Sequence, residues 1–141
     1  MYLGGHIPTE LGSMTKIEEW FNMNGCALSG HIPTELGSLP IETELDLSYN
    51  RLTGTVPTEF GRMEVIYHHF RLDANSLSGT VPTEFGMMTA METNFKIHLN
   101  EELCGDLPTQ IGVLSSTVSC GACARVLGNT GSKRGNTGEN T

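Results

Sequence analysis

Two cysteines near the carboxyl end have the spacing of a redox motif. Cys120 and Cys123 enclose Gly121 and Ala122, and such a pair can cycle between dithiol and disulfide or bind a metal ion. Thioredoxin-like C-x-x-C motifs lie next to a βαβ pattern, and no such pattern surrounds this pair. A redox or metal activity at Cys120 and Cys123 is therefore one of three hypotheses, and not the leading one.

The histidines and carboxylates provide no further catalytic arrangement. His68 and His69 are adjacent, so on a regular strand they point to opposite faces and cannot bind one metal ion together. His6 and His31 occupy the same position of a repeated phrase, and a Thr-Glu pair such as residues 9–10 recurs in four of its five copies. Residues repeated along a scaffold seldom act as a unique acid or base. We expect no catalytic residue, no metal site and no cofactor.

Composition and charge restrict the class of partner. The formal charge of -8 argues against nucleic acid and anionic membranes, which are bound through Lys and Arg. No run of about 18 apolar residues occurs, so we expect no transmembrane segment in this chain. Residues 1–5 lack the basic and apolar regions of a secretory signal, so the signal of an exported protein would lie upstream.

One nine-residue phrase returns five times and indicates a repeat architecture. The copies occupy residues 5–13, 30–38, 54–62, 79–87 and 105–113, so they begin 24 to 26 residues apart. A constant period of about 20 to 30 residues is typical of a solenoid, in which each unit buries its apolar side against its neighbours.

A second pattern precedes the phrase in each unit. Leu45 and Leu47 are two residues apart and predict a short strand with both side chains on one face. Asn50 follows where the chain must turn, and its amide can bond to backbone groups that the turn leaves unpaired. Stacked copies would form a ladder, with Asn75 in the next unit and Cys26, a small residue with a weak S–H donor, in the preceding one.

Together, the two patterns resemble the plant-type class of the leucine-rich repeat family over roughly residues 3–114. This class includes receptor-like kinase ectodomains, polygalacturonase-inhibitor-like proteins and algal relatives. The resemblance implies an α/β solenoid, a right-handed superhelix with a parallel β-sheet on the concave face. It also implies a second short strand or turn, and a convex side of 3₁₀, short helical or irregular segments.

Some stretches depart from the pattern. The unit from Ile97 to Gly105 carries one extra residue before the strand and one fewer in the turn, which predicts that its Asn ladder position is lost or shifted. Residues 41–44 and 65–68 slip by one residue against the usual apolar spacing, so we expect an irregular convex side.

Strand alternation predicts which side chains form the concave surface, because the apolar pair points inward and its neighbours point outward. Aligned strands give three rows and an extension: Trp20, Glu44, His69 and Lys96; Asn22, Asp46, Arg71 and His98; Asn24, Ser48, Asp73 and Asn100; and Tyr49 with Glu101. Trp20, Tyr49 and Arg71 are residue types that dominate binding hot spots. The leading hypothesis is a module, receptor-like or inhibitor-like, that binds a protein or peptide through this surface. The remaining hypothesis is a structural or ice-binding role for the recurring Thr residues.

The resemblance also suggests how the chain divides. Residues 1–114 form the array, with an incomplete first repeat; residues 115–127 form a Cys-containing cap; residues 128–141 form a Gly/Asn/Thr tail that is expected to be disordered. Relatives commonly close the last turn with a Cys-containing segment, which implies a disulfide from Cys104 to Cys120 or Cys123, with one thiol left over.

The first unit begins midway through a repeat, without a cap, so its apolar edge is expected to be open. The favoured interpretation is the carboxyl-terminal part of a longer extracellular or membrane-associated protein. The alternative is self-association through the uncapped amino-terminal edge.

Overall fold

The computed structural model describes residues 4–105 together with residues 107 and 108, and this part of the chain is a stack of short strands and 3₁₀ helices. The strands are β1 (Gly5–His6), β2 (Trp20–Asn22), β3 (Leu28–His31), β4 (Glu44–Asp46), β5 (Arg51–Thr55), β6 (His69–Arg71), β7 (Ser76–Thr80), β8 (Phe95–Lys96) and β9 (Glu102–Cys104). The 3₁₀ helices are η1 (Thr9–Ser13), η2 (Thr34–Ser38), η3 (Thr58–Arg62) and η4 (Thr83–Met87). Each 3₁₀ helix follows the Pro of one repeated phrase, because Pro has the extended backbone that leads into the first helical residue.

The strands form two parallel sheets. One sheet has the order β2-β4-β6-β8 and the other has the order β1-β3-β5-β7-β9. Every pairing is parallel and joins one unit to the next along the chain. This confirms the solenoid and places the predicted Leu-x-Leu strands in the four-stranded sheet.

A continuous apolar core runs between the two sheets and the 3₁₀ helices. Leu45 and Leu47 are both fully buried, as the alternating pattern predicts. Phe70 stacks on Phe95 of the next unit with ring centroids 5.2 Å apart, and its ring edge meets Phe60 of η3 at 5.4 Å. The units therefore share one core, and none of them buries its apolar side alone.

The fourth unit keeps the register of the others, so the predicted shift in that unit is wrong. Phe70 of β6 lies opposite Phe95 of β8, and both Phe95 and Ile97 are fully buried. Leu99 is 58% exposed and has a left-handed backbone with φ of 55°, as Tyr49 does at the equivalent position. The alternation Ile97-x-Leu99 imitates the apolar pair, but the inward pair is Phe95-x-Ile97.

The asparagine ladder is present and longer than predicted. Asn50, Asn75 and Asn100 each accept a hydrogen bond from a backbone N–H of the preceding unit at 2.9 to 3.0 Å. Each side-chain amide also donates to backbone carbonyls of its own unit and of the preceding one. Cys26 occupies the corresponding position of the first unit, where its thiol lies 3.5 Å from the carbonyl oxygen of Asn24.

The 3₁₀ helices stack so closely that a side chain is excluded at one position. A Cβ added to Gly37 would lie 2.5 Å from the carbonyl oxygen of Glu59 in the next unit, and one added to Gly61 would lie 2.5 Å from that of Glu84. Backbone atoms cannot yield as a flexible side chain can. These glycines therefore set the spacing of the stacked 3₁₀ helices, whereas residues 41–43 and 65–68 between the helices and the next strands form no helix or strand, as expected for an irregular convex side.

The predicted cap (115–127), the tail (128–141), and Cys120 and Cys123 lie outside the described residues. Each helix of the described residues is a five-residue 3₁₀ segment, so none of them is long enough to cross a membrane.

Candidate functional site

The side chains that point away from the core on the four-stranded sheet and on the turns that follow its strands form one surface, which we call the polar face. Its members are Trp20, Asn22, Asn24, Glu44, Asp46, Ser48, Tyr49, His69, Arg71, Asp73, Lys96 and His98. The pairing of β2 with β4 and of β4 with β6 aligns the first three strands as predicted. The fold thus assembles onto one sheet residues that are up to 78 positions apart in the chain, from Trp20 to His98.

Three of the predicted residues on the last strand have different positions. Lys96 lies beside Arg71 and not in the row of His69, since Arg71 pairs with Lys96 in the sheet. His98 takes the place beside Asp73 that was predicted for Asn100. Asn100 is fully buried and belongs to the ladder, because its amide bonds to the backbone of two units. The sequence alignment had shifted the fourth strand by two residues relative to the third, so its residues were assigned to the wrong rows.

Arg71 is held between two carboxylates at the centre of the polar face. Its Nε and Nη2 donate to the two carboxylate oxygens of Asp73 at 3.2 Å, and its Nη1 donates to Asp46 Oδ2 at 3.2 Å. Burial lowers the pKa of Arg71, but the hydrogen bond to Asp73 and the charges of Asp46 and Asp73 outweigh burial and leave this pKa raised. The guanidinium therefore stays charged and compensates both carboxylates.

The acidic partners of Arg71 are buried, which corrects their predicted role as contact residues. Asp46 is 3% exposed and Asp73 is 1% exposed, and Ser48 is fully buried while its hydroxyl donates to Asp46 Oδ1 at 2.5 Å. A partner cannot touch these groups without moving the side chains above them. Their effect on a partner would act through Arg71, whose side chain is 23% exposed.

The amino-terminal half of the polar face is joined by hydrogen bonds between strands. Asn22 Nδ2 donates to Glu44 Oε1 at 2.6 Å, and Glu44 Oε2 lies 3.7 Å from His69 Nδ1. Asn24 Nδ2 donates to the hydroxyl of Ser48 at 2.6 Å. These contacts fix side-chain orientations before any partner arrives, which reduces the entropy lost on binding.

Two large aromatic side chains of the polar face remain exposed to solvent. Trp20 on β2 is 64% exposed and Tyr49, just after β4, is 57% exposed. Tyr49 also has a left-handed φ of 55°, a conformation that is costly for a residue with a Cβ. Neither side chain is needed to fill the core, so both are available as anchors for a partner.

The remaining histidines and carboxylates of the described residues do not form a cluster that could bind a metal ion. No group of three or more His, Cys, Asp or Glu side chains there could bind a metal ion. The imidazole of His6 lies over Gly30, where an added Cβ would clash with its ring, and His31 lies over Gly54 in the same way. These two histidines pack against the Gly of the next unit, as expected for scaffold residues.

The five-stranded sheet also carries hydroxyl groups on its outer side, but they do not extend along the array. Thr53 and Thr55 of β5 are exposed, as is Thr80 of β7. His31 of β3 and His6 of β1 replace Thr at the position after Gly in the preceding units. A regular Thr lattice at that position is therefore limited to two neighbouring strands.

The sequence analysis missed one exposed apolar residue beside the polar face, Leu99. Leu99 follows His98 and lies at the turn position equivalent to Tyr49 and Ala74. The sequence could have predicted its exposure, because the residue at this turn position directly precedes the ladder Asn in each of these units, as in Leu99-Asn100. Alignment on the Asn, and not on the apolar pair, gives the correct rows.

Comparison with known families and structures gives similarity to leucine-rich repeat proteins of plants. The Leucine Rich Repeat family model matches residues 43–63. No curated protein sequence matches the chain significantly.

Solved structures match over most of the chain. The BIR2 ectodomain from Arabidopsis thaliana is 32% identical with a TM-score of 0.68, over 77% of this chain and 55% of that one. The BIR3–SERK2 complex from Arabidopsis thaliana is 25% identical with a TM-score of 0.68, over 94% of this chain and 70% of that one. The Arabidopsis receptor kinase HAESA ectodomain, in complex with an IDA peptide hormone, is 28% identical with a TM-score of 0.59, over 84% of this chain and 24% of that one. The chain thus spans about half of the BIR2 ectodomain and less of HAESA.

Proposed function

Because the chain is an array of plant-type leucine-rich repeats, we propose that it binds a protein or peptide partner through the polar face. The proposal is that the chain acts by binding, without an enzymatic reaction of its own.

The observation that carries this proposal is the combination of exposed aromatic anchors with an ordered polar surface. Trp20 and Tyr49 are both more than half exposed, and the polar groups between them are held by the contacts of Glu44 and Arg71. Exposed aromatic residues on a preorganised surface are typical of binding hot spots, since they bury much apolar area at low entropic cost.

The similar structures support this class of partner and an extracellular location. The HAESA ectodomain was solved with a peptide hormone, and BIR3 was solved in complex with SERK2. We propose by analogy that this chain contributes to an extracellular, receptor-like or inhibitor-like protein and that its partner is a secreted peptide or another ectodomain. Immunoblots of secreted, membrane and soluble cell fractions test the location; a native protein confined to the cytosol would contradict it.

The test of the polar face is photocrosslinking from its aromatic anchor. A photoreactive phenylalanine analogue replaces Trp20, and crosslinked partners from the extracellular fraction are identified and then titrated against the unmodified protein. The double variant Trp20→Ala/Tyr49→Ala should weaken binding about 1000-fold, because two hot-spot residues at about 2 kcal/mol each sum to about 4 kcal/mol. The matched control is Val65→Ala/Met87→Ala, which removes two exposed apolar side chains from outside the polar face. Equal losses for both variants would contradict the proposed face.

A further inference from the structure

One amide side chain of the polar face is followed directly by a glycine. Asn24 and Gly25 form the only Asn-Gly pair in the sequence, and both residues are exposed. Gly25 has a left-handed backbone with φ of 64°, and it has no side chain to hinder an approach to its backbone nitrogen. That nitrogen and the side-chain carbonyl carbon of Asn24 can close a five-membered ring. The two groups can therefore react with each other without help from any other protein group.

Both reacting groups are held by one residue of the next unit, Ser48. The side-chain Nδ2 of Asn24 donates to the hydroxyl of Ser48 at 2.6 Å, and the backbone N–H of Gly25 donates to the carbonyl oxygen of Ser48 at 3.1 Å. A hydrogen-bonded N–H is a poor nucleophile, so the reaction requires the turn to separate from Ser48. One local opening releases both groups together.

The turn that carries this pair is less firmly anchored than the equivalent turns of the later units. Asn50, Asn75 and Asn100 each accept one backbone hydrogen bond and donate to at least two carbonyl oxygens. Cys26 takes their place in the first unit, where its thiol lies 3.5 Å from the carbonyl oxygen of Asn24 and makes no other hydrogen bond within the described residues. Local opening costs less where fewer hydrogen bonds must break, so this turn should open more often than the others.

We propose that Asn24 is a site of spontaneous deamidation, which changes the charge of the polar face as the protein ages. The backbone nitrogen of Gly25 loses its proton to hydroxide and attacks Cγ of Asn24, and the new N–Cγ bond closes a succinimide ring. The Cγ–Nδ2 bond breaks, and Nδ2 takes up a proton from water and leaves as ammonia. Water then opens the ring at Cγ to give an aspartate side chain, or at the backbone carbonyl carbon to give an isoaspartate linkage. The net change is the gain of one water molecule and the loss of one ammonia molecule.

The aspartate product loses the contact that holds the turn. Ser48 has one hydroxyl proton, which it donates to Asp46 Oδ1, so it meets the amide of Asn24 with a lone pair. A carboxylate at position 24 has no proton to donate to that lone pair. It is also repelled by Asp46, whose carboxylate already shares the guanidinium of Arg71 with that of Asp73. The turn therefore separates from Ser48, and the polar face gains one negative charge. An effect on partner binding rests on the proposed function, whereas the deamidation itself does not.

Mass spectrometry of the aged full chain tests the proposal, because one tryptic peptide contains its own controls. The peptide of residues 17–51 carries Asn24, the exposed Asn22 and the buried Asn50. The chain is incubated in mildly alkaline buffer, and a sample digested at the start corrects for deamidation during digestion. Asn24 should deamidate at least about tenfold faster than Asn22, because the side chain of Met23 hinders attack at Asn22. Both aspartate and isoaspartate should form at position 24. Equal rates at Asn22 and Asn24, or aspartate without isoaspartate, would overturn the proposal.

Two variants test the chemistry and the contact separately. Gly25→Ala should slow deamidation about tenfold, because its methyl group hinders the nitrogen. The methyl group fits, since nothing lies within 4 Å of the added Cβ and Ala74 has a left-handed φ of 54° at the equivalent turn position. Ser48→Ala frees the amide of Asn24 and should speed the reaction about fivefold, which corresponds to one ordinary hydrogen bond. An unchanged rate in either variant, with folding confirmed by circular dichroism, would contradict the proposal.

The effect on the turn is measured with Asn24→Asp, which has the aspartate product at this position. Its urea midpoint should lie below that of Asn24→Ala, because both variants lose the donor to Ser48 and only Asn24→Asp adds a charge. Equal midpoints would contradict the proposed opening of the turn. None of these assays uses a partner, so their failure is distinguishable from a failure of the proposed function.

Discussion

Replacement of Asn75 by Ala tests how the asparagine ladder stabilises the array. Asn75 Oδ1 accepts the backbone N–H of Leu52 at 3.0 Å, and its Nδ2 donates to the carbonyl oxygens of Leu47 at 3.0 Å and Leu72 at 3.1 Å. The two carbonyls are shared with neighbouring ladder members, since Asn50 also donates to Leu47 and Asn100 also donates to Leu72. The N–H of Leu52 has no second acceptor of this kind.

The expected loss follows from these contacts. The unpaired N–H of Leu52 costs about 1 to 3 kcal/mol, and each lost carbonyl bond costs less than the usual 1 kcal/mol or so because a second donor remains. Asn75→Ala should therefore lower the free energy of unfolding by about 3 kcal/mol. With a urea m value of about 2 kcal/mol/M, the midpoint should fall by about 1.5 M.

The assay is urea unfolding of the full chain, followed by circular dichroism. The control is Asn24→Ala, which removes an exposed amide that bonds only to the hydroxyl of Ser48 and should cost less than about 1 kcal/mol. A loss for Asn75→Ala no larger than that of the control would refute the reasoning, because the ladder would then be dispensable.

Three further substitutions test the packing, the charge cluster and the turn by the same urea unfolding. Gly37→Ala should destabilise the array by about 1 to 3 kcal/mol, since the added Cβ would lie 2.5 Å from backbone atoms of the next unit. The control Ser38→Ala changes a neighbouring exposed residue and should alter the free energy of unfolding little. Equal effects of the two substitutions would contradict the proposed close contact. Arg71→Met should cost about 3 kcal/mol because two buried carboxylates lose their cation, and a neutral result would show that water compensates them. Ala74→Gly should stabilise by about 0.5 to 1 kcal/mol, because its φ of 54° costs a residue with a Cβ about 1 to 2 kcal/mol and the greater freedom of unfolded Gly offsets part of the gain. Destabilisation by Ala74→Gly would mean that the methyl group packs more favourably than its backbone is strained.

Much of the fold was predictable because the repeat is periodic. The resemblance predicted 3₁₀ or short helical segments on the convex side, and η1 to η4 each begin at the Thr of the recurring phrase. The Leu45-x-Leu47 alternation predicted an inward pair, and Asn50 predicted a ladder; both are confirmed. These features depend on local spacing, which the chain carries in every unit.

Less of the polar face was predictable, because an exposed position and a buried one can have the same place in the strand pattern. Asp46 and Asp73 were expected to face solvent, but Arg71 on β6 binds both of them and the hydroxyl of Ser48 also donates to Asp46. Burial of these groups depends on which side chains the next unit supplies, and not on strand alternation alone.

The sequence by itself determined the period, the type of repeat and the ladder, since backbone turns and alternating strands follow from short-range spacing. Only the tertiary structure decided the register of the last strand, where Phe95 and Ile97 point inward and Leu99 outward, because stacking on Phe70 selects between two apolar pairs that look equivalent. It also decided that the five-position spacing from Asn100 to Gly105, one more than from Asn75 to Gly79, is accommodated by a turn in which the N–H of Leu103 donates to the carbonyl oxygen of Asn100, so that β9 still pairs with β7. Such outcomes depend on contacts between units about 25 residues apart, which local spacing does not specify.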